Sequence, residues 1–222
     1  VLPVTNANVD LVADFENGAS VVGESKIAAK KKQQNCRIHQ VRLEPQKPKA
    51  LPHAIDAILS ADMIILGPGS LYTSIIPNLL VDGIVQALEK SKAPKIYVLN
   101  IMTQDGETEG YTAFDHLHAL LQHSAPHLVD ACIYNTAPVP DPIQARYKTE
   151  DAEPVEMDME RFRKAGVEMY GFPLIARESR FARHDPNLLA QAVINVFGRC
   201  CVREGVYGAY DMLARETAPG KI

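Results

Sequence analysis

The pattern of hydrophobic and polar positions changes near Pro52. Before it, short and partly alternating apolar runs are bounded by turn signals, a pattern typical of strands. This pattern predicts strands over residues 9–15, 20–23 and 37–43. Three consecutive lysines, residues 30–32, lie between the second and third of these runs, and we interpret them as a solvated loop. The first part of the chain is therefore expected to be rich in β-structure.

After Pro52, apolar positions at helical spacing alternate with short, continuous apolar runs. The helical spacing predicts helices over residues 52–60, 79–90, 113–122, 159–165 and 187–197. The continuous runs predict strands over residues 63–66, 95–99, 131–134 and 167–170, each buried on both faces as in a parallel sheet. Strands separated by helices imply right-handed crossovers. The fold class is therefore α/β, with a mostly parallel sheet, helices on both of its faces and a β-rich N-terminal portion.

Composition narrows the range of functional classes. The chain has 222 residues, of which 46% are hydrophobic and 23% are charged, with a net charge of −4 and a pI near 6.0. These values are typical of a soluble globular protein rather than a disordered or fibrous one. The mild acidic excess argues against a general nucleic-acid binder. A single domain of this length buries about 70% of its unfolded surface and needs neither disulfides nor a metal to fold.

The spacing of the cysteines and one uncharged stretch help to predict the cellular compartment of the protein and whether it spans a membrane. Cysteines occupy positions 36, 132, 200 and 201 without a C-x-x-C spacing, so neither a zinc cluster nor a redox motif is indicated. Residues 63–81 carry no formal charge over nearly the length of a membrane span, but glycines and prolines interrupt them. We expect a cytoplasmic protein with reduced cysteines and no membrane span.

We expect the functional site to lie where the strands end, because ligands of open α/β sheets bind outside the carboxyl ends of the strands. The first predicted parallel strand continues into Gly67-Pro68-Gly69-Ser70. Its glycines allow a sharp turn and a close ligand approach, and its serine could cap a helix whose free N–H groups bind an anion. The alternative is a plain strand-to-helix turn. Further hydroxyl donors in this segment are Tyr72, Thr73 and Ser74.

The next two strands are also followed by polar residues. Asn100, Thr103 and Gln104 could bind sugar or base edges, and Glu107 could serve a ribose hydroxyl or a metal. Asn135 directly follows the third strand. The alternative for the loop after the second strand is an ordinary exposed loop, although loops at this edge often carry function.

Two basic segments indicate an anionic ligand. Tyr147 stands between Arg146 and Lys148, where it could stack on a nucleobase, although a surface tyrosine is the alternative. Arg183 and His184 precede an expected helix start at Asp185-Pro186, and an arginine beside a helix N-terminus favours bound phosphate. The alternative for Arg183 is a structural ion pair.

The motifs above resemble those of a known family. Residues 61–84, ADMIILGPGSLYTSIIPNLLVDGI, are similar to the signature of the bacterial gluconeogenesis factors of YvcK type. That family is related to the CofD transferases, which move a 2-phospholactate or phosphoenolpyruvate-derived group onto the deazaflavin precursor Fo. The resemblance continues through NIMTQDGET, the FDH of residues 114–116 and RHDP, and it covers residues 1 to about 197. The CofD branch has a P-S-N-P pattern where this chain has GPGS, which favours the regulator side.

The resemblance implies a Rossmann-like fold that binds a nucleotide sugar, UDP-N-acetylglucosamine, in a cytoplasmic regulator that links carbon metabolism to cell shape and wall synthesis. Tyr147 and Arg183 match the positions that such proteins use for the uridine nucleotide sugar. No catalytic residue, cofactor or protein partner is implied, and the oligomeric state, including a homo-oligomer, is left open. The family's opening G-G-G-T-G turn and D-D-G-G-S-S-G loop are not in this sequence, so we expect an N-terminally incomplete domain over residues 1–198 and a C-terminal extension over residues 199–222.

Three functions compete at this point. The first is a non-catalytic regulator that binds a nucleotide sugar. The second is a CofD-like transferase, the only one of the three for which Mg²⁺ is expected. The third is a hydrolase that uses Ser70 as nucleophile, which is disfavoured because the G-x-S-x-G elbow is not matched.

Overall fold

The structure, a computed structural model, describes residues 1–176 and 179–203. The N-terminal part consists of β1 (Asp10–Phe15), β2 (Ser20–Val22), α1 (Glu24–Gln34) and β3 (Ile38–Glu44). The central part contains α2 (Pro52–Leu59), β4 (Ile64–Leu66), a π-helical turn (Leu71–Ile75), α3 (Ile76–Leu79), α4 (Ile84–Lys90), β5 (Lys95–Val98) and α5 (Ala113–Gln122). The remaining elements are β6 (Ala131–Asn135), α6 (Asp141–Lys148), α7 (Met159–Ala165), β7 (Glu168–Phe172) and α8 (Pro186–Arg203).

The described strands form two sheets. The first is antiparallel in the order β2-β1-β3, and the second is parallel in the order β4-β5-β6-β7. Successive residues of β5 point to opposite faces of the parallel sheet, as the pleat requires. Tyr97 packs into a large core with α1, α3, α4, α5 and α7, whereas Ile96 and Val98 pack against α8. The predicted α/β class, with helices on both faces of a parallel sheet, is confirmed.

The lysine run is the largest error of the sequence prediction. Residues 30–32 belong to α1 rather than to a loop, and Lys31 is buried. Alanine, glutamine and lysine are good helix formers, Glu24 lies in the first turn and Lys31 and Lys32 lie in the last, which suits the helix dipole. Asn35 ends the helix in the left-handed conformation with φ 45°.

Three further predictions need correction. Of the helix predicted over residues 79–90, only α4 forms as a continuous helix; α3 already ends at Leu79, and Gly83 with φ 99° immediately precedes α4. The strand β4 lies at one edge of the parallel sheet, and Ile65 is 43% exposed rather than buried. Helix α6 was not predicted; it begins with Asp141 and Pro142, residue types that suit a first turn.

The domain boundary at residue 198 stays a prediction. Helix α8 begins at Pro186 and continues across that position to Arg203. Residues 204–222, which make up most of the predicted extension, lie outside the described residues. Across residues 1–176 and 179–203, no helix combines the length and the apolar composition that a membrane crossing requires.

Candidate ligand-binding site

The carboxyl ends of the parallel strands open into a cavity of about 670 Å³, within the usual size range of small-molecule sites. Loops that follow β4 and β5, helix α6 and the segment before α8 all contribute to its walls. The sequence-predicted residues that line it are Pro68, Gly69, Ser70, Asn100, Thr103, Gln104, Tyr147, Arg183 and His184. The fold therefore brings residues that lie far apart along the chain together at the strand ends, as the rule for ligand sites of open α/β sheets predicts.

Gly67 makes the turn that leads from β4 to this cavity. Its φ is 80°, a left-handed value that glycine adopts without steric cost. A Cβ at this position would lie 3.1 Å from Ile75 Cδ1 and 3.2 Å from the Val98 carbonyl oxygen. The turn is thus packed tightly against the end of β5. Gly67 itself lies outside the cavity, in a groove beside β4 that it shares with the exposed Ser74.

Ser70 begins the π-helical turn through its backbone. The Ser74 and Ile75 N–H groups donate to the Ser70 carbonyl oxygen at 2.9 and 3.0 Å. The Ser70 hydroxyl makes no capping hydrogen bond, contrary to the predicted role of a side-chain cap. It stands in the wall of the cavity.

The donor groups at this turn bind a carboxylate of the protein itself, that of Glu107. Glu107 is 2% exposed and accepts hydrogen bonds from the Tyr72 backbone N–H at 3.2 Å and from the Thr73 hydroxyl at 2.7 Å. Gln104 Nε2 also donates to Glu107, at 3.2 Å. Burial raises the pKa of Glu107, and the hydrogen bonds from Thr73 and Tyr72 partly oppose that rise. Glu107 therefore joins the two loops from beneath the cavity.

Tyr72, Thr73, Glu107 and Asn135, like Gly67 and Ser74 above, are not brought to the cavity, and their binding roles stay predictions without geometric support. Tyr72 is 2% exposed and its hydroxyl is 2.8 Å from that of Tyr111, deep in the core. The Asn135 amide accepts from the N–H groups of Ala137 and Leu174 and donates to the Ala137 carbonyl oxygen. It lines an adjoining cavity of about 220 Å³ that shares Asn100 with the first.

Asn100 and Thr103 hold the loop after β5 in place. Asn100 Nδ2 donates to the Gly69 carbonyl oxygen at 3.0 Å, which ties this loop to the one after β4. Thr103 Oγ1 accepts from the Glu153 backbone N–H at 2.9 Å, and the Thr103 N–H donates to the Glu153 carbonyl oxygen. Both side chains thus present a fixed polar wall to the cavity.

Helix α1 supports the same loop from the other side. Gly106 has φ 78°, and a Cβ there would lie only 2.5 Å from Ala28 Cβ and 2.7 Å from Ala28 Cα. Ion pairs flank this close approach, joining Lys31 to Glu109 and Lys32 to Asp105. The lysines that we interpreted as solvent-exposed therefore attach the N-terminal part of the chain to the site.

His184 contributes its ring to the cavity wall. Its ring hydrogen-bonds to the Leu99 carbonyl group at the end of β5. Burial lowers the pKa of His184, and the bond to Leu99 opposes that effect only in part. Its Nε2 is buried and has no hydrogen-bond partner within residues 1–176 and 179–203.

One aromatic side chain and one arginine line the cavity, and a second aromatic ring and a second arginine lie beside that arginine. Tyr147 lines the cavity from α6, and Arg183 lines it from the segment before α8. Two guanidinium groups contact the Phe181 ring, with Arg146 Cζ at 4.3 Å and Arg183 Cζ at 5.2 Å from the ring centroid. Over the described residues, no His, Cys, Asp and Glu side chains gather in a group of three or more that could hold a metal ion.

Comparisons with known proteins identify the family of this chain. A family model described as 2-phospho-L-lactate transferase CofD matches residues 1–175. The chain belongs to the CofD family. Among its relatives, the gluconeogenesis factor of Bacillus subtilis is 42% identical over 196 residues, which cover 88% of this chain and 61% of that protein. The gluconeogenesis factor of Halalkalibacterium halodurans is 40% identical over 194 residues, covering 87% of this chain and 59% of that protein.

A solved structure supports the same assignment. The crystal structure of protein BH3568 from Bacillus halodurans aligns with a TM-score of 0.82 at 39% identity, and covers 87% of this chain and 61% of that one. A second structure of BH3568, which matches equally well, is described as a member of the UPF0052 family. The resemblance to the gluconeogenesis factors is confirmed. This CofD-family chain spans about 60% of the length of the two gluconeogenesis factors compared above.

Sequence reasoning did not place Arg146 and Phe181 beside the site of this CofD-family chain. It also did not select five residues that line the cavity: Ile101, Met102, Ala182, Pro186 and Leu189. Arg146 is adjacent to Tyr147, and the basic residues around that tyrosine were an available signal. Phe181 had no signal in the sequence, because only the fold places its ring against a helix that ends 33 residues earlier along the chain.

Proposed function

We propose that this chain forms the nucleotide-sugar-binding part of a gluconeogenesis factor and that its ligand is UDP-N-acetylglucosamine. The observation that carries the proposal is the cavity itself, in which Tyr147 and Arg183 meet the Gly69 loop at the ends of the parallel strands. An aromatic side chain can stack on a uracil, a guanidinium group can bind phosphate, and fixed amide and hydroxyl groups can bind a sugar.

The proposed role is regulatory. The relatives are named gluconeogenesis factors, which supports a link to carbon metabolism. Binding of a nucleotide sugar used in wall synthesis would connect that metabolism to cell shape, the role that the resemblance implies. The proposed location is the cytoplasm, which the resemblance to the gluconeogenesis factors implies.

The test is calorimetric titration of the 222-residue chain with UDP-N-acetylglucosamine, with ADP-glucose as a control for the base. We expect saturable binding of the uridine ligand and weaker binding of the adenine ligand. Release of neither sugar nor phosphate over hours of incubation would agree with a regulator. Equal affinity for both ligands, or none for either, would contradict the proposal.

The second candidate is a transferase, which the description of the matching family model favours. Its acceptor would be Fo, its donor a 2-phospholactate or phosphoenolpyruvate-derived group, and its expected cation Mg²⁺. Incubation of the chain with Fo, a donor and Mg²⁺, followed by mass spectrometry, tests this function directly. An Fo product that carries the whole transferred group, formed with release of the rest of the donor and only when the chain is present, would replace the regulator proposal.

A further inference from the structure

Arg146 and Arg183 share one aromatic support. Their guanidinium carbons lie 4.3 and 5.2 Å from the centroid of the Phe181 ring, within the range of cation–π contacts. Phe181 is 36% exposed, and Arg146 lies on the exposed surface of α6. Two cationic groups from separate parts of the chain therefore share one aromatic ring, and one of them, Arg183, lines the cavity.

Neither arginine is neutralised by the part of the structure that is described. Within residues 1–176 and 179–203, the ion pairs involve Lys31, Lys32, Arg42, Arg161 and Arg163, and neither Arg146 nor Arg183 is among them. The two distances to one centroid place the guanidinium groups less than about 10 Å apart, which is about one Debye length at 0.1 M salt. Their charges therefore repel each other, and a bound anion would relieve that repulsion.

We propose that Arg146 and Arg183 bind the diphosphate of the ligand as a pair, with Phe181 as the positioning residue that holds both guanidinium groups. The inference rests on the proposed function, because it assigns a part of the nucleotide sugar to this surface. Arg183 lines the cavity, and Arg146 lies beside Arg183 because both guanidinium groups contact the Phe181 ring.

The chemistry of the pair suits two linked phosphoryl groups. A guanidinium group is planar, remains charged and binds phosphate oxygens through two parallel N–H donors. Two such groups can each take one phosphoryl group of a diphosphate, whereas a monophosphate can satisfy only one of them fully. The pair therefore makes the site selective for a nucleoside diphosphate over the corresponding monophosphate.

The test compares UDP with UMP by calorimetric titration of the full chain and of Arg146→Gln. We expect the unmodified chain to prefer UDP, and Arg146→Gln to weaken UDP binding by about tenfold, as expected for the loss of one charge-assisted hydrogen bond. UMP binding should change by less than about twofold. The preference for UDP should therefore nearly vanish in the variant. Phe181→Leu, which removes the support of both guanidinium groups, should weaken UDP binding more than UMP binding and so reduce the same preference.

Arg163→Gln is the matched control. Arg163 is an exposed arginine on α7, where its partner is Glu160, so the same change in charge is made away from the cavity. It should leave both affinities unchanged, and all variants should keep the unfolding midpoint of the unmodified chain. An unchanged preference for UDP in Arg146→Gln would overturn the inference while leaving the proposed function standing. Failure of the unmodified chain to bind UDP-N-acetylglucosamine and UDP would overturn both.

Discussion

The close approach of Gly106 to helix α1 predicts a large penalty for Gly106→Ala. The new Cβ would lie 2.5 Å from Ala28 Cβ and 2.7 Å from Ala28 Cα, so that helix and loop would have to separate. Overpacking of this kind costs about 1–3 kcal/mol. The left-handed φ of 78° adds about 1–2 kcal/mol for a residue with a side chain. We expect Gly106→Ala to lower the free energy of unfolding by about 2–5 kcal/mol.

Gly110→Ala, in the same loop, separates the two contributions. Gly110 has φ 68°, but nothing lies within 4 Å of the position that its Cβ would take. Its substitution should therefore cost only the conformational part, about 1–2 kcal/mol. The two free energies of unfolding are measured by urea denaturation, followed by circular dichroism. Equal losses of stability in the two variants would show that α1 does not press against the loop, and would refute the reasoning.

Three further predictions concern the site and its pH dependence. Arg183→Ala should weaken binding of UDP-N-acetylglucosamine by about 1–3 kcal/mol in a calorimetric titration, the loss expected for a charge-assisted hydrogen bond. Tyr147→Ala should weaken binding while leaving the far-UV spectrum unchanged; a loss of helix signal would instead make Tyr147 a core residue. Burial lowers the pKa of His116, His123 and His184, so below about pH 6.5 the unfolded chain takes up protons that the folded chain does not. The free energy of unfolding should therefore fall as the pH falls from 7.5 to 5.5, and less steeply in His116→Asn; parallel slopes for the two proteins would count against this cause.

Local pattern was sufficient where an element depends on its own residues. Helix α5 coincides with its predicted range, because Thr112 caps it with its hydroxyl and its buried residues recur at helical spacing. The buried strand β5 was predicted for a similar reason, since a short apolar run between turns has few other structures open to it. These signals lie within a few residues of the element that they specify.

Prediction failed where distant partners decide the structure. Lys31 is buried because Glu109, which is far away along the chain, pairs with it. Glu107 was predicted to face a ligand because carboxylates often do so, yet its partners are the Tyr72 N–H and the Thr73 hydroxyl of the neighbouring loop. A sequence shows which groups need partners but not which partner the fold supplies.

The position of the site could be predicted from the sequence, but only some of the residues that line it could be. The rule for strand ends placed Ser70 and Asn100 correctly at one edge of the sheet, because parallel strands share a direction. It could not rank the residues within each loop, where one side chain faces the cavity and the next faces the core. Arg146 lies near the site only because it contacts the Phe181 ring, a contact that needs the whole fold.

The position of α8 gives ligand binding a thermodynamic consequence. Arg183 and His184 reach the cavity just before this helix, which is anchored by Val193 and Val196 against the face of the sheet opposite the large core. The cavity is therefore complete only while α8 is docked. A ligand that binds only the docked state stabilises the packing of α8, the last described helix, against the parallel sheet. At a hundredfold excess over its dissociation constant, it would add about 2.7 kcal/mol to the cost of undocking.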